Sequence, residues 1–188
     1  MISLELEKML IQFCAPTLLG LKAASLISVS RGEMPDLFAQ IARCNRTLGA
    51  CGLRFSVLCE CNRRNLVYVY RPALLEKRLA DVECRALLAR WDYPVEEGIG
   101  QMLLHLRGRI ARYSDFPHEI GLFLDYPIPD VAAFIENAGA DCKLCGYWKV
   151  YCDVESAKAC FARYDACRAH LMAHFAAGNT ISTLLTAG

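Results

Sequence analysis

The chain has 188 residues, of which 55% are apolar and 22% are charged, and its formal net charge is +1. Disordered chains combine low hydrophobicity with high net charge, and collagen-like chains need far more than 12 Gly and 7 Pro, so both classes are excluded. A globular chain of this length can bury one core, and we predict a single domain over residues 1–178 with a frayed tail at 179–188.

The first half of the chain predicts helices followed by a β-hairpin. An amphipathic stretch at 4–13 leads into residues 14–22, which a proline and a glycine predict to be rich in turns. Residues 24–30 fit either a strand or the end of a helix, and residues 35–48 repeat apolar side chains at helical spacing. The segment 53–71 contains two runs rich in Val, Phe and Tyr around a polar link, which predicts an antiparallel hairpin.

Prolines open the two helices predicted for the middle of the chain. Pro72 can occupy the first turn of a helix over residues 72–91, with a second cap at Asp81. Pro94 precedes an apolar stripe that predicts a helix over residues 95–113.

Short elements alternate in the last third. We predict a strand at 120–124, a helix capped by Asp130, a strand at 147–151 and a long final helix capped by Asp153. The predicted fold class is therefore α/β or α+β, a single domain with a mixed four- or five-stranded sheet covered by helices.

Cysteine content and charge bear on compartment and partners. Eleven cysteines, about 6% of the chain, form no disulfide framework and suit a reducing compartment, so we expect a cytoplasmic protein. No apolar run is long enough to span a bilayer, and we expect no membrane partner. Residues 41–112 hold 13 basic and 7 acidic side chains, a net +6, but mixed charges on helices are typical of solvated faces. We therefore do not favour a nucleic-acid partner.

Several familiar catalytic and nucleotide-binding motifs are missing. The sequence contains no phosphate loop, no G-x-G-x-x-G, no serine-hydrolase elbow and no zinc-protease helix motif. The sequence thus identifies no cofactor and no catalytic residue.

The most unusual local chemistry lies in the predicted strand at 147–151. Alternate side chains of a strand share a face, which would place Lys149 between Tyr147 and Tyr151, with Trp148 behind them. A cation flanked by aromatic walls suits a flat anionic ligand. The alternative is an aromatic ladder whose lysine extends to water.

Cys14, Lys22 and His118 could supply a nucleophile, a cation and a base, but only if the fold brings them together. His118 adjoins Glu119, yet neighbouring residues of a strand point to opposite faces, so we expect no direct dyad. A packing or capping role for this histidine is the alternative.

Two groups of residues have metal-ligand spacing. Cys142 and Cys145 form half of a zinc-ribbon pattern without a second pair, and Cys167, His170 and His174 share one face of the final helix. Such spacing arises readily in ordinary helices and hairpins, so we predict no metal site.

Three segments together resemble a known family. They are residues 14–22 (CAPTLLGLK), 117–127 (PHEIGLFLDYP) and 145–151 (CGYWKVY). In this order they are similar to the domain of unknown function 3793 family, small bacterial proteins, over about residues 10–175. The family has no established activity that the resemblance could transfer to this chain. The segments that carry the resemblance are the same ones that the residue patterns single out as candidate sites. Asp125 departs from the glycine expected there, although aspartate can adopt the left-handed turn conformation.

The leading functional hypothesis is a small-molecule binding protein for an anionic or aromatic ligand, with room for enzymatic activity. Its candidate ligand-binding residues are Cys14, Lys22, His118, Tyr126, Tyr147, Trp148, Lys149 and Tyr151. One alternative is thiol redox or metal handling through Cys14, Cys142 and Cys145. The other is an RNA-binding module in which Tyr68 and Tyr70 stack on bases.

Overall fold

A computed structural model describes residues 2–60, 63–112 and 116–186. The chain divides into two compact units, Met1–Ala73 with Tyr164–Gly188, and Leu74–Arg163, and each is described by itself. A single domain over residues 1–178 stays a prediction. The α+β class is confirmed, whereas the predicted four- or five-stranded sheet is not: the described residues form one sheet of three strands and one of two.

The first unit is built on a three-stranded antiparallel sheet in the order β1-β3-β2. Its strands are β1 (Ala24–Ser30), β2 (Arg54–Glu60) and β3 (Arg64–Tyr70). The predicted hairpin of β2 and β3 is confirmed, and the ambiguous segment at 24–30 is a strand because it pairs along its whole length with β3. Cys61 and Asn62, in the predicted link, lie outside the described residues.

Helices cover this sheet. They are α1 (Leu4–Leu18), α2 (Leu37–Leu48) followed by a 3-10 turn at Gly49–Cys51, the second half of α8 (Val154–Ala176), and α9 (Ile181–Thr186). The predicted turns at 14–22 are wrong for residues 14–18, because α1 continues through Pro16. A proline removes one hydrogen bond from the helix, and the buried stripe of Leu10, Cys14 and Leu18 compensates for that loss.

The helix α9 packs on the first unit. Ile181 is fully buried in the core of this unit, with Leu184 and Leu185 packed against it. A frayed tail at 179–188 stays a prediction. None of the helices in the described ranges combines the length and the apolar character that crossing a membrane requires.

The second unit is mainly helical. It contains α3 (Pro72–Leu79, from Leu74 onwards), α4 (Val82–Ala89), α5 (Ile99–Arg112), α6 (Ile120–Phe123), α7 (Ile128–Glu136), the first part of α8, and a hairpin of β4 (Leu144–Cys145) and β5 (Lys149–Val150). The second cap predicted at Asp81 is confirmed, since its carboxylate accepts the backbone N–H groups of Glu83 and Cys84 at 2.9 and 3.1 Å. Asp153 likewise caps α8 by accepting the backbone N–H of Ser156 at 3.0 Å.

Three predicted elements of this unit differ from the structure in type or extent. The segment at 120–124 is a helical turn, α6, in which Leu124 N–H bonds to Ile120 O at 2.9 Å, so these backbone groups are satisfied locally. The strand at 147–151 shrinks to the two residues of β5. Helix α5 begins at Ile99 because Gly98 has a φ of 81°, outside helical geometry, and Tyr113 lies outside the described residues.

Candidate functional site

Four of the eight candidate ligand-binding residues line one cavity of about 230 Å³ in the second unit. They are His118, Tyr126, Trp148 and Lys149, and we name this space the aromatic cavity. The other residues that line it are Phe116, Ile120, Gly121, Asp130, Val131 and Phe134. The walls are mostly apolar, as in most small-molecule sites, where a few polar groups set the orientation of the ligand.

Asp130 holds one wall of the aromatic cavity in place. Its buried carboxylate accepts the indole N–H of Trp148 at 2.8 Å on Oδ2, and the backbone N–H groups of Tyr151 and Cys152 at 2.8 and 2.9 Å on Oδ1. Asp130 therefore does not cap α7, which begins two residues earlier. One of these donors orients the Trp148 ring, and the two backbone donors tie the same carboxylate to the chain after β5.

Gly121 allows Tyr126 and α7 to approach α6 closely. A Cβ at position 121 would lie 2.8 Å from Val131 Cγ2 and 3.3 Å from Tyr126 Cδ2, so any larger residue would push this wall outwards. The turn between α6 and α7 is formed by Asp125 with a φ of 62°. The left-handed turn therefore forms with aspartate in place of the expected glycine, and Arg78 supports it by donating to the carbonyl oxygen of Tyr126.

Lys149 contacts a different aromatic ring from the one expected. Its Nζ donates to the carbonyl oxygen of Gly139 at 2.6 Å and lies 5.7 Å from the centre of the Phe134 ring. The predicted placement between Tyr147 and Tyr151 is wrong because β5 is too short for strand alternation to hold. Neither tyrosine lines the aromatic cavity: Tyr147 packs on Phe161 with ring centres 5.4 Å apart, and Tyr151 is buried.

His118 and Glu119 diverge, as expected, although they precede a helix and not a strand. The exposed His118 ring meets the edge of Phe134, with ring centres 5.0 Å apart. Glu119 is buried, and it accepts the Tyr93 hydroxyl at 3.0 Å and Arg109 Nε at 2.5 Å. The two residues thus belong to separate networks.

Cys14 and Lys22 lie in the first unit and are not among the residues that line the aromatic cavity. Burial raises the pKa of the Cys14 thiol to about 12, although the charge of Lys22 and a hydrogen bond from Ser25 act in the opposite direction. Desolvation therefore outweighs the cation, and at neutral pH Cys14 is a packed thiol, unlike the thiolate that nucleophilic chemistry needs.

Comparison with known proteins identifies the family. The model of the family described as Protein of unknown function (DUF3793) matches residues 10–185, nearly the whole chain. The chain belongs to this family. No curated protein and no solved structure matches it.

The remaining cysteines and histidines that the structure describes are spread over both units of this DUF3793 protein. Over residues 2–60, 63–112 and 116–186, no group of three or more His, Cys, Asp and Glu side chains could hold a metal ion. On the final helix, Cys167 packs into the core of the first unit, while the exposed rings of His170 and His174 contact each other with centres 4.6 Å apart. Cys142 is half-buried and Cys145 exposed in the β4 hairpin.

Sequence reasoning missed the contribution of α7 to this DUF3793 site. Asp130, Val131 and Phe134 recur at steps of one and three residues, which places them on one side of a helix. The sequence alone could therefore have predicted that these three residues share a helix face. Which partner the face meets depends on tertiary packing, since Trp148 follows Asp130 by 18 residues.

Proposed function

We propose that this DUF3793 protein binds a small aromatic carboxylate in the aromatic cavity. The observation that carries the proposal is the aromatic lining by Tyr126, Phe134 and Trp148 of a space of about 230 Å³. An apolar cavity of about 150 Å³ is enough to bind benzene, so the larger space suits one ring with a substituent. Rings of this kind favour offset or edge-to-face contacts with a bound ring.

The charges around the aromatic cavity favour an acidic substituent. Asp130 already accepts three N–H groups of the protein, so its oxygens have hydrogen-bond partners without a ligand. Lys149 carries three N–H donors and, among the described residues, uses one of them on Gly139. The other two can donate to a carboxylate at the edge of the cavity, and such charge-assisted hydrogen bonds are the stronger class.

A titration with benzoate and with its neutral analogue benzamide tests this proposal. Trp148 fluorescence in a Trp91→Phe background reports on the cavity, because the chain has only two tryptophans. We expect saturable binding of benzoate and weaker binding of benzamide. Lys149→Met should weaken benzoate by roughly tenfold or more and leave benzamide unchanged, since a hydrogen bond to a charged group contributes about 1.5–3 kcal/mol.

Two further variants serve as controls. Lys143→Met removes an exposed lysine from the same hairpin and should leave benzoate affinity unchanged. Val131→Phe fills the aromatic cavity without changing any charge and should abolish binding of both ligands. Equal loss of benzoate affinity in Lys143→Met and Lys149→Met, or full binding by Val131→Phe, would show that the ligand does not occupy this cavity.

The two alternative functions have less support. The redox hypothesis loses Cys14, whose thiol is buried with a raised pKa, and keeps only Cys142 and Cys145. The RNA hypothesis loses Tyr68, which is fully buried and unavailable to stack on a base. We retain a cytoplasmic location as part of the proposal, because none of the ten described cysteines forms a disulfide.

A further inference from the structure

A second cavity, of about 440 Å³, lies in the same unit between α5 and the turn that follows α4. Its character is opposite to that of the aromatic cavity, because charged and polar side chains supply much of its wall. Arg109 and Arg112 contribute to the lining from α5, and Trp91 and Asp92 contribute to it from the turn. We name this space the arginine cleft.

Gly108 faces the arginine cleft from the interior of α5. Glycine destabilises a helix interior relative to alanine, so a glycine there usually serves close packing. At Gly108 no such packing exists, since a Cβ would find nothing within 4 Å, and its φ is outside the range that favours glycine. The structural effect of this glycine is to keep the middle of the cleft open.

A buried network orients one of the two arginines. Tyr93 donates its hydroxyl to Glu119 at 3.0 Å, and the same carboxylate oxygen accepts Arg109 Nε at 2.5 Å. Glu119 is only 2% exposed, so the guanidinium is held from behind while its side chain lines the cleft. Pre-oriented guanidinium groups suit oxyanions because their planar donors match pairs of oxygens.

His105 and Asp92 also line the cleft and have different roles there. His105 Nε2 lies 3.0 Å from the carbonyl oxygen of Trp91. Because a carbonyl only accepts, Nε2 carries the proton, and the histidine ties α5 to the turn. Asp92 is the acidic residue of the lining, and it is exposed, whereas Glu119 lies behind Arg109. Exposure to water weakens the repulsion that Asp92 exerts on an anion.

We propose that the arginine cleft binds the phosphate group of a small phosphorylated molecule, with Arg112 as its anchor and the Glu119-bound Arg109 beside it. The site is separate from the aromatic cavity and does not depend on the function proposed for that cavity.

Calorimetric titration with ribose 5-phosphate and with ribose tests the proposal, because neither probe is aromatic. We expect saturable binding of the phosphate ester and none of the free sugar. Arg112→Gln should weaken binding roughly tenfold. Arg107→Gln removes the same charge from an exposed position of α5 that does not line the cleft, and it should change the affinity by less than about twofold.

Substitutions at Gly108 distinguish binding inside the cleft from binding to the surrounding surface. Gly108→Leu should fill the cleft and abolish binding, while Gly108→Ala should retain it, and both should melt at or above the wild-type temperature because helix propensity improves. Asp92→Asn should tighten binding, since asparagine keeps the φ of 57° at that position and removes the opposing charge.

Three results would overturn the proposal. One is the absence of saturation with ribose 5-phosphate by about 10 mM. The second is equal weakening by Arg107→Gln and Arg112→Gln, which would indicate diffuse charge attraction. The third is full binding by Gly108→Leu. Val131→Phe, which fills the aromatic cavity, should leave ribose 5-phosphate binding intact, so the two proposals fail independently.

Discussion

Two buried acidic residues of this protein, Asp130 and Glu7, differ in their hydrogen bonding. Asp130 is 3% exposed and receives three N–H donors, one of them from the Trp148 indole. Glu7 is also 3% exposed, but its Oε2 has no hydrogen-bond partner among the described residues. Burial raises the pKa of Glu7 above its ordinary value of 4.5, although the backbone N–H of Ile181 partly opposes the shift.

Glu7→Gln should therefore make the first unit more stable at neutral pH. A carboxyl whose pKa is raised on folding contributes stability below its unfolded pKa and loses it as the pH rises through the folded value. We expect the free energy of unfolding of the wild type to fall relative to Glu7→Gln between about pH 4 and pH 8.

Urea titrations of both proteins across that pH range measure the difference. Glu5→Gln, which neutralises an exposed carboxylate on the same helix, is the control and should follow the wild type. A constant difference between Glu7→Gln and the wild type at every pH would contradict the assignment.

The Arg71 side chain forms hydrogen bonds with carbonyl groups at the ends of two helical segments. Arg71 follows β3 directly and donates to three carbonyl oxygens: Nε to Thr17 at 2.7 Å, one terminal nitrogen to Leu18 at 2.5 Å and the other to Cys51 at 2.9 Å. These carbonyls close α1 and the turn after α2, and helix ends leave such groups without intrahelical partners. One side chain thus joins the ends of two helical segments to the sheet.

Arg71→Met should destabilise the protein by about 2–3 kcal/mol, because it leaves three carbonyl oxygens without their donor. Arg43→Met is the comparison: the Arg43 side chain makes an exposed contact of 4.0 Å with Asp36, and its removal should change stability by less than about 0.5 kcal/mol. Chemical denaturation measures both variants. Similar stability of the two would show that the Arg71 hydrogen bonds contribute little.

Element type was predictable where side-chain periodicity and burial agree. The β2–β3 hairpin, α2 and the cap at Asp81 follow from local residue patterns and are present. The strand predicted at 120–124 was wrong because a short apolar run fits a buried strand or a buried helical turn equally well. No neighbouring strand pairs with it in the described residues, and its amides bond locally.

At the scale of the whole molecule, residues far apart in the chain were expected to share one pocket. The structure gathers His118, Tyr126, Trp148 and Lys149 around the aromatic cavity, and all four belong to residues 74–163. Cys14 belongs to the first unit, where it packs in the core between α1 and the sheet. The proposed ligand site therefore does not need the Cys14 thiol.

Cys14→Ala should leave benzoate affinity within about twofold of the wild type while lowering the free energy of unfolding by about 1 kcal/mol, since it removes one buried atom from a packed core. The fluorescence titration and urea unfolding measure the two effects. A loss of affinity above fivefold at unchanged stability would instead give Cys14 a part in the site.

The sequence by itself indicated the family, a fold of mixed helices and strands, the β2–β3 hairpin and two of the segments that supply the aromatic cavity, because these follow from residue patterns along the chain. Tertiary structure decided which side chains meet. Asp130 looked like a helix cap and instead anchors Trp148, and Lys149 lies near Phe134 and not between two tyrosines. These contacts join separate elements, and no local periodicity specifies which faces pack together.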